Sequence, residues 1–518
     1  MSIQRLADRL RSTLRGSGGF SLVEVLVAML VFAIVAISVA YSLTLTAGYS
    51  RDNRAREQAT AIALADIDLV RSVGDPFAVS ASDPPPVVPA GLGETFTITR
   101  TTAWVTSSGA DVSCSAGGTT LQYKRVNVSV SWTNMARGSV PATADTIIAP
   151  NVHINDPSKG TIFVSVQDVD GVGVAGITPS ISPAPGVAIA PTDADGCTFI
   201  LGVAPRSYTV SLTRSGWVDQ NQNPTSSLTS SVTAGNSTAY AFQFDQAINV
   251  TARYAVNVAS LPNPTTKVEF PLAPGGTGST QLQTTFVKGS DGWWSEDTPV
   301  TESATNGFGT LTAAVPLHPY PTGYQTIAGQ YTTACQVSDP EAWQEYTYNG
   351  VTYSGARGIA QSAAPGSTTA PVSTPMGVVQ VTTPANATSG FPTSSRTRYH
   401  LVAVRQTNTA GSPVTGEPAC PSSAGTVVYR FGQVFTGANQ TVRIALPFGT
   451  WKVYATNTDT TNTSSNSTTL TSTNLTLLSN VLKLDPAASN PLTGTQTIPT
   501  SGTDTGRFTL DPRGVVVP

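Results

Sequence analysis

The 518-residue chain is short of charge: Asp, Glu, Lys and Arg make up 11% of it, against about a quarter of an ordinary soluble protein. Lysine is scarce, confined to Lys124, Lys159, Lys267, Lys288, Lys452 and Lys483. With a formal net charge of −3 the sequence offers no basic footprint for a phosphate backbone, which argues against a nucleic-acid partner. Histidine is rarer still. His153, His318 and His400 stand in none of the patterns that build a nucleophile and its base or a metal-dependent hydrolase, and each reads as a surface or turn residue. The four cysteines, Cys114, Cys197, Cys335 and Cys420, lie far apart without the short spacings of a zinc site. The sequence therefore implies no enzyme, no cofactor and no thiolate metal centre.

Thr, Ser, Asn, Gly and Pro occupy the place of the missing charge. Short Thr/Val/Ser/Ile runs broken by Gly, Pro, Asn and Asp are the composition of antiparallel β-domains. The length allows three to four domains at about 150 residues each. The exception is the N-terminal segment, where residues 25–47 run without a charged side chain. A helix rising about 1.5 Å per residue crosses a hydrocarbon core of roughly 30 Å in that distance. Arg5, Arg9, Arg11 and Arg15 precede the span with only Asp8 against them, so the N-terminus is expected on the cytoplasmic side and the rest outside. An outside location permits disulfides, and an even cysteine count favours two. Three connectivities are open, of which Cys114–Cys197 with Cys335–Cys420 is the expected one.

Glu24 is the anomaly of this segment. A carboxylate at the edge of a bilayer is costly unless it has a partner, so an acid there points to function. If the chain is cut between Gly19 and Phe20, the new α-amino group lies one helical turn from Glu24, at i and i+4. Within a subunit or between neighbours, amine and carboxylate then neutralise each other in lipid.

The run Gly19-Phe20-Ser21-Leu22-Val23-Glu24-Val25-Leu26 resembles the class III leader junction of type IV prepilins, minor pilins and pseudopilins. The resemblance implies that residues 1–19 are a leader removed after Gly19 by a membrane aspartyl prepilin peptidase that also N-methylates Phe20. Glu24 is then the acid that meets a neighbour's N-terminus during assembly. It further implies other pilin subunits and a pilus assembly platform as partners, the cytoplasmic membrane as the first location and the cell surface as the last. A secretory signal cut after Ser38-Val39-Ala40 fits less well, because an h-region is usually about 7–15 residues and carries no acid.

Beyond Arg51, the spacing of Ala59, Ala63, Ile67 and Val70 predicts one apolar helix face. Gly48 is expected to soften the helix where it leaves lipid, and Gly74-Asp75-Pro76 to end it. Strands are expected at residues 95–99 and 123–132, the second placing Val126, Val128, Val130 and Trp132 on one face against the helix. The expected fold is α+β and mostly β. It has a long N-terminal helix over residues 20–75 packed on a small antiparallel sheet at 76–152, followed by tandem β-sandwich modules.

Residues 158–246 resemble a carboxypeptidase-regulatory-like, or prealbumin-like, β-sandwich, with Asp-Gly turns and a Pro-containing turn that leads Tyr208 into a core strand. Similar turns precede Tyr324 and Trp451. The expected divisions are a sandwich at 153–246, a second β-module at 247–361, a Thr/Ser/Pro-rich linker at 362–395 and a third module at 396–518.

Asp168/Asp170 and Asp193/Asp195 are carboxylate pairs of the kind calcium favours, but they lack the further acids of a full loop and read better as turn residues. Trp293 and Trp294 are adjacent in a strand, so their side chains point to opposite faces and one indole is a candidate for contact with a surface or carbohydrate. The glycine-rich residues 274–279 lack the Lys-Ser/Thr of a phosphate loop. An intramolecular Lys–Asn crosslink promoted by a buried Glu is disfavoured in the first module, where Lys159 is the sole lysine and no Glu occurs. The function expected is that of a low-copy or tip pilin displaying β-modules for adhesion. A pseudopilin of a type II secretion system shares the N-terminus, and a secreted surface protein or hydrolase beginning near Tyr41 is the other alternative.

Overall fold

The computed structural model describes residues 21–513 apart from 83, 90–92, 107–110, 113, 115–120, 136–137, 149–155, 257–267, 273–279, 290–291, 298–299, 303–308, 312, 349, 384–398, 411–413, 437–438, 457, 462, 464–466, 479–495 and 497. It is an α+β structure, mostly β: one long helix followed by many strands in small sheets. Two compact units are present, one of residues 1–165, 173–210 and 229–241, the other of residues 166–172, 211–228 and 242–518.

In the first unit, helix α1 (Leu22–Val73) begins at Ser21, whose hydroxyl accepts the amide of Val23 at 3.3 Å. It ends at Gly74, which takes the left-handed conformation (φ 68°) that terminates helices readily only at glycine. The helix runs unbroken through Gly48, where an added Cβ would meet nothing. Its first half is bare, with Leu26, Leu30, Phe32, Ile37 and Leu43 all exposed. Its second half buries one stripe, Ala55, Ala59, Ala63, Ile67 and Val70.

That stripe packs on an antiparallel sheet of order β2-β1-β3-β4, formed by β1 (Phe96–Thr106), β2 (Asp111–Val112), β3 (Leu121–Trp132) and β4 (Ala142–Ile148). Strict alternation along β3 puts Val126, Val128, Val130 and Trp132 into the shared core with Phe96 and Ile98. The alanines of α1 keep the backbone of the helix close to the sheet. Polar groups tie the same surfaces: Arg100 clasps Asp66 with two hydrogen bonds of 3.0 and 2.6 Å, and the Trp132 indole donates to Asp52 at 3.1 Å. Buried Glu94 pairs with Arg51 and accepts the Thr133 hydroxyl at 2.7 Å. The Thr133 hydrogen bond and the Arg51 guanidinium hold its carboxyl below the ordinary range.

Strand β5 (Gly160–Gln167), which the first unit holds as far as Ser165, pairs antiparallel with β6 (Cys197–Val203) of the same unit. Tyr208, reached through the Pro-containing turn, is buried and donates to Ala204 O at 3.0 Å. The Cys114–Cys197 disulfide lies beside an aromatic cluster in which Phe199 sits 4.8 Å from Phe77, 5.1 Å from Phe163 and 5.4 Å from Trp104.

The second unit corrects the expected modules. Strand Ala252–Tyr254 pairs in parallel with Val372–Thr374, and Val268–Glu269 pairs in parallel with Thr441–Leu446. Strand Gly377–Thr382 lies between Thr441–Leu446 and Leu475–Leu477. The stretch read as a linker therefore holds an interior strand with Val378, Val379 and Val381 fully buried. Its Thr/Ser/Pro flanks masked a β-branched run. Residues read as second and third modules share one core, in which Tyr254, Val268, Met376, Leu401, Tyr429 and Trp451 meet. Cys335–Cys420 closes the second disulfide.

Parts of the region read as one sandwich, residues 166–172, 211–228 and 242–246, also belong to this unit. The reason is local: Gln222 reaches the Tyr324 hydroxyl at 3.2 Å, and the Tyr320 hydroxyl donates to Gln220 O at 3.0 Å. His318 is not a surface residue. It is fully buried, and burial holds its imidazole below the ordinary range.

Candidate functional site

Glu24 stands in the first turn of α1, exposed, with its amide donating to Ser21 O at 2.9 Å. The N-terminal end of a helix favours a carboxylate through its unpaired amides and dipole. With Val25, Ala28, Met29 and Phe32 it lines a shallow depression on an otherwise apolar surface. Residues 24, 28 and 32 fall on one face at helical spacing, so a neighbour meeting Glu24 also meets a strip of apolar side chains. Gly19 and Phe20 lie outside the described residues.

The other candidates separate clearly. Asp168 Oδ1 accepts the amides of Asp170 and Val172 at 2.9 and 2.8 Å, a closed turn. Asp193 Oδ1 does the same for Asp195 and Cys197 at 3.0 and 2.8 Å. No group of three or more His, Cys, Asp or Glu able to hold a metal occurs among the described residues. Trp293 and Trp294 open an edge strand, Trp293–Asp297, in register with Val287 and Phe286; their side chains lie outside the description. The loop at 274–279 does as well.

One charged cluster escaped the sequence reading. Lys124 is 1% exposed; its ammonium donates to Val79 O and lies 3.5 Å from Asp195 Oδ2 and 5.5 Å from the Trp104 ring centre. Asp195 also accepts the Ala81 amide at 3.0 Å and the Thr102 hydroxyl at 2.5 Å. A signal was available, because position 124 shares the parity of Val126, Val128 and Val130 in β3 and so faces inward.

A family model described as the prokaryotic N-terminal methylation motif matches residues 14–40. No curated protein matches the chain. Among solved structures it is similar to the Bacillus anthracis TIE protein at 10% identity, covering 75% of this chain and 72% of that one with a TM-score of 0.18. A streptococcal ancillary pilin matches at 9% identity, 48% and 75% coverage and a TM-score of 0.17. The major pilin subunit BcpA of Bacillus cereus matches at 12% identity, 57% and 88% coverage and a TM-score of 0.17. Scores this low leave the functional reading to the N-terminal motif and the helix behind it.

Proposed function

We propose that this chain is a low-copy pilin, cut after Gly19, methylated on Phe20 and assembled through α1 into a pilus-like filament that displays its β-rich units outside the cell. The observation that carries the reading is the methylation motif at residues 14–40 running directly into a helix that is bare and apolar in its first half and packed on its own sheet in its second. The bare half fits lipid before assembly and other helices after it. Glu24 acts in the transfer between the two: a carboxylate leaving water for an apolar bundle needs a cation, and the α-amino group freed at Phe20 of a neighbour supplies one. The prepilin peptidase and N-methyltransferase, other pilin subunits, the assembly platform and the membrane are the partners this role requires.

Size argues for low copy number. A shaft made of helices packed side by side leaves little lateral room for several hundred residues beyond the head sheet on every subunit, whereas a tip or occasional position accommodates them. Adhesion is the role that suits exposed Thr/Ser-rich β-structure, with a surface or carbohydrate as the ligand class. The test combines two readouts on protein purified from its host. The mature chain should begin at methylated Phe20, and Glu24→Ala should reach the membrane but be missing from sheared filaments. An N-terminus near Tyr41, or a Glu24→Ala subunit incorporated at the wild-type level, would overturn the reading.

A further inference from the structure

The buried lysine of β3 has no part in helix assembly, yet it is placed against a carboxyl group in surroundings that suit chemistry better than charge storage. The Lys124 side chain is 2% exposed and that of Asp195 19%. Phe77, Trp104, Phe163 and Phe199 crowd the same region, next to the Cys114–Cys197 disulfide. Asp193, two residues before Asp195, has one carboxyl oxygen tied into its turn, while the other, Oδ2, is buried with no hydrogen-bond partner. In an aromatic surrounding, burial disfavours the charged forms of Lys124 and Asp193. Burial draws the Lys124 ammonium down, against the pull of Asp195 and Asp193, and pushes the Asp193 carboxyl up.

From this arrangement the geometry points to a modification site: an amide bond between Lys124 Nζ and Asp195 Cγ, formed within the chain by loss of one water, joining β3 of the head sheet to the turn before β6. Lys124 passes one proton to the Asp195 carboxyl it is paired with, and the amine so freed attacks Cγ. Charge developing on Oδ1 is met by the Ala81 amide, already 3.0 Å away. The Cγ–Oδ2 bond breaks, and Oδ2 leaves as water after taking the proton that the amine gives up, relayed by the Asp193 carboxyl. No oxidant, metal or nucleotide enters the balance. Holding the reacting groups together supplies the effective concentration that makes an otherwise slow condensation feasible. The lysine comes from the sheet that precedes the module, so the sole lysine of the module itself, Lys159, is not the relevant one.

The experiment is tryptic peptide mapping by mass spectrometry of the full chain, purified in detergent, after reduction and alkylation. Reduction is essential because Cys114–Cys197 joins the same two tryptic peptides. The expected product is one branched peptide carrying Lys124 and Asp195, lighter by one water than its parts. Asp193→Asn should abolish it while the unreduced sample still shows the Cys114–Cys197 link, which reports that the fold is intact. Recovery of two separate peptides from reduced wild type, or a branched peptide that persists in Asp195→Ala, would overturn the assignment. Neither result touches the pilin reading, which depends on the N-terminal motif and α1.

Discussion

Glu417 carries a pH dependence that can be worked out with its sign. The side chain is 1% exposed and accepts the Thr450 hydroxyl at 2.8 Å, and burial pushes its carboxyl up to about 7. The unfolded chain ionises this group near 4.5. Below that value both states hold the proton and its contribution is fully present; between there and about 7 the unfolded state loses the proton first, so stability falls as pH rises. The shift corresponds to a loss on the order of 3 kcal/mol. Glu417→Gln keeps the acceptor and removes the ionisation, so its thermal midpoint should exceed wild type at about pH 8 and match it at about pH 4.5. A variant no more stable than wild type under the alkaline condition would contradict this. Residues of this kind differ in how far a sequence discloses them. Glu24 is legible because it interrupts an apolar run, and Lys124 because of its parity in β3. Glu417 is not, since its depth is set by Thr450 and by Thr509, which lies 2.7 Å from Thr450 and far away in the chain.

At the scale of elements, the fit of α1 to its sheet rests on small side chains. Ala59 and Ala63 are fully buried against the valine face of β3, whereas Leu64 on the outward side is 53% exposed. Ala59→Leu inserts several carbons where there is no space and should destabilise the unassembled head by about 1–3 kcal/mol. Leu64→Ala should change it by less than about 0.5 kcal/mol. Thermal unfolding of the two variants followed side by side checks the contrast; equal effects would mean the stripe is not the packed face. This helix and β3 were readable because periods of 3.6 and 2 persist over many residues. Strand Gly377–Thr382 was not, since a six-residue strand leaves no long period and its neighbours average to linker composition. The turns before Tyr208, Tyr324 and Trp451 were readable, and all three aromatics are buried.

At the scale of the whole chain, the sequence showed how much β-structure to expect but not how it is divided, because pairing such as Val268–Glu269 with Thr441–Leu446 depends on contacts no local pattern records. Cysteine placement is a stronger constraint on a chain with so few charged residues. Each unit contains one disulfide, Cys114–Cys197 in the first and Cys335–Cys420 in the second, spanning 83 and 85 residues. Such bonds persist in an oxidising compartment, the setting that the proposed function gives both units. Closing a loop of that length removes enough unfolded-state entropy to stabilise by up to about 4–5 kcal/mol, the size of a large share of a domain's net stability. The paired change Cys335→Ser with Cys420→Ser should therefore open the second unit to limited proteolysis near residues 332–343, where Cys335 and Val337 pack with Cys420 and buried Trp343 follows. Under the same conditions wild type should resist, and reduction of wild type should reproduce the cleavage pattern of the variant. If the double variant stays as resistant as wild type, the core around Tyr429 and Trp451 is sufficient without the bond, and the cysteines contribute nothing measurable to holding the unit closed.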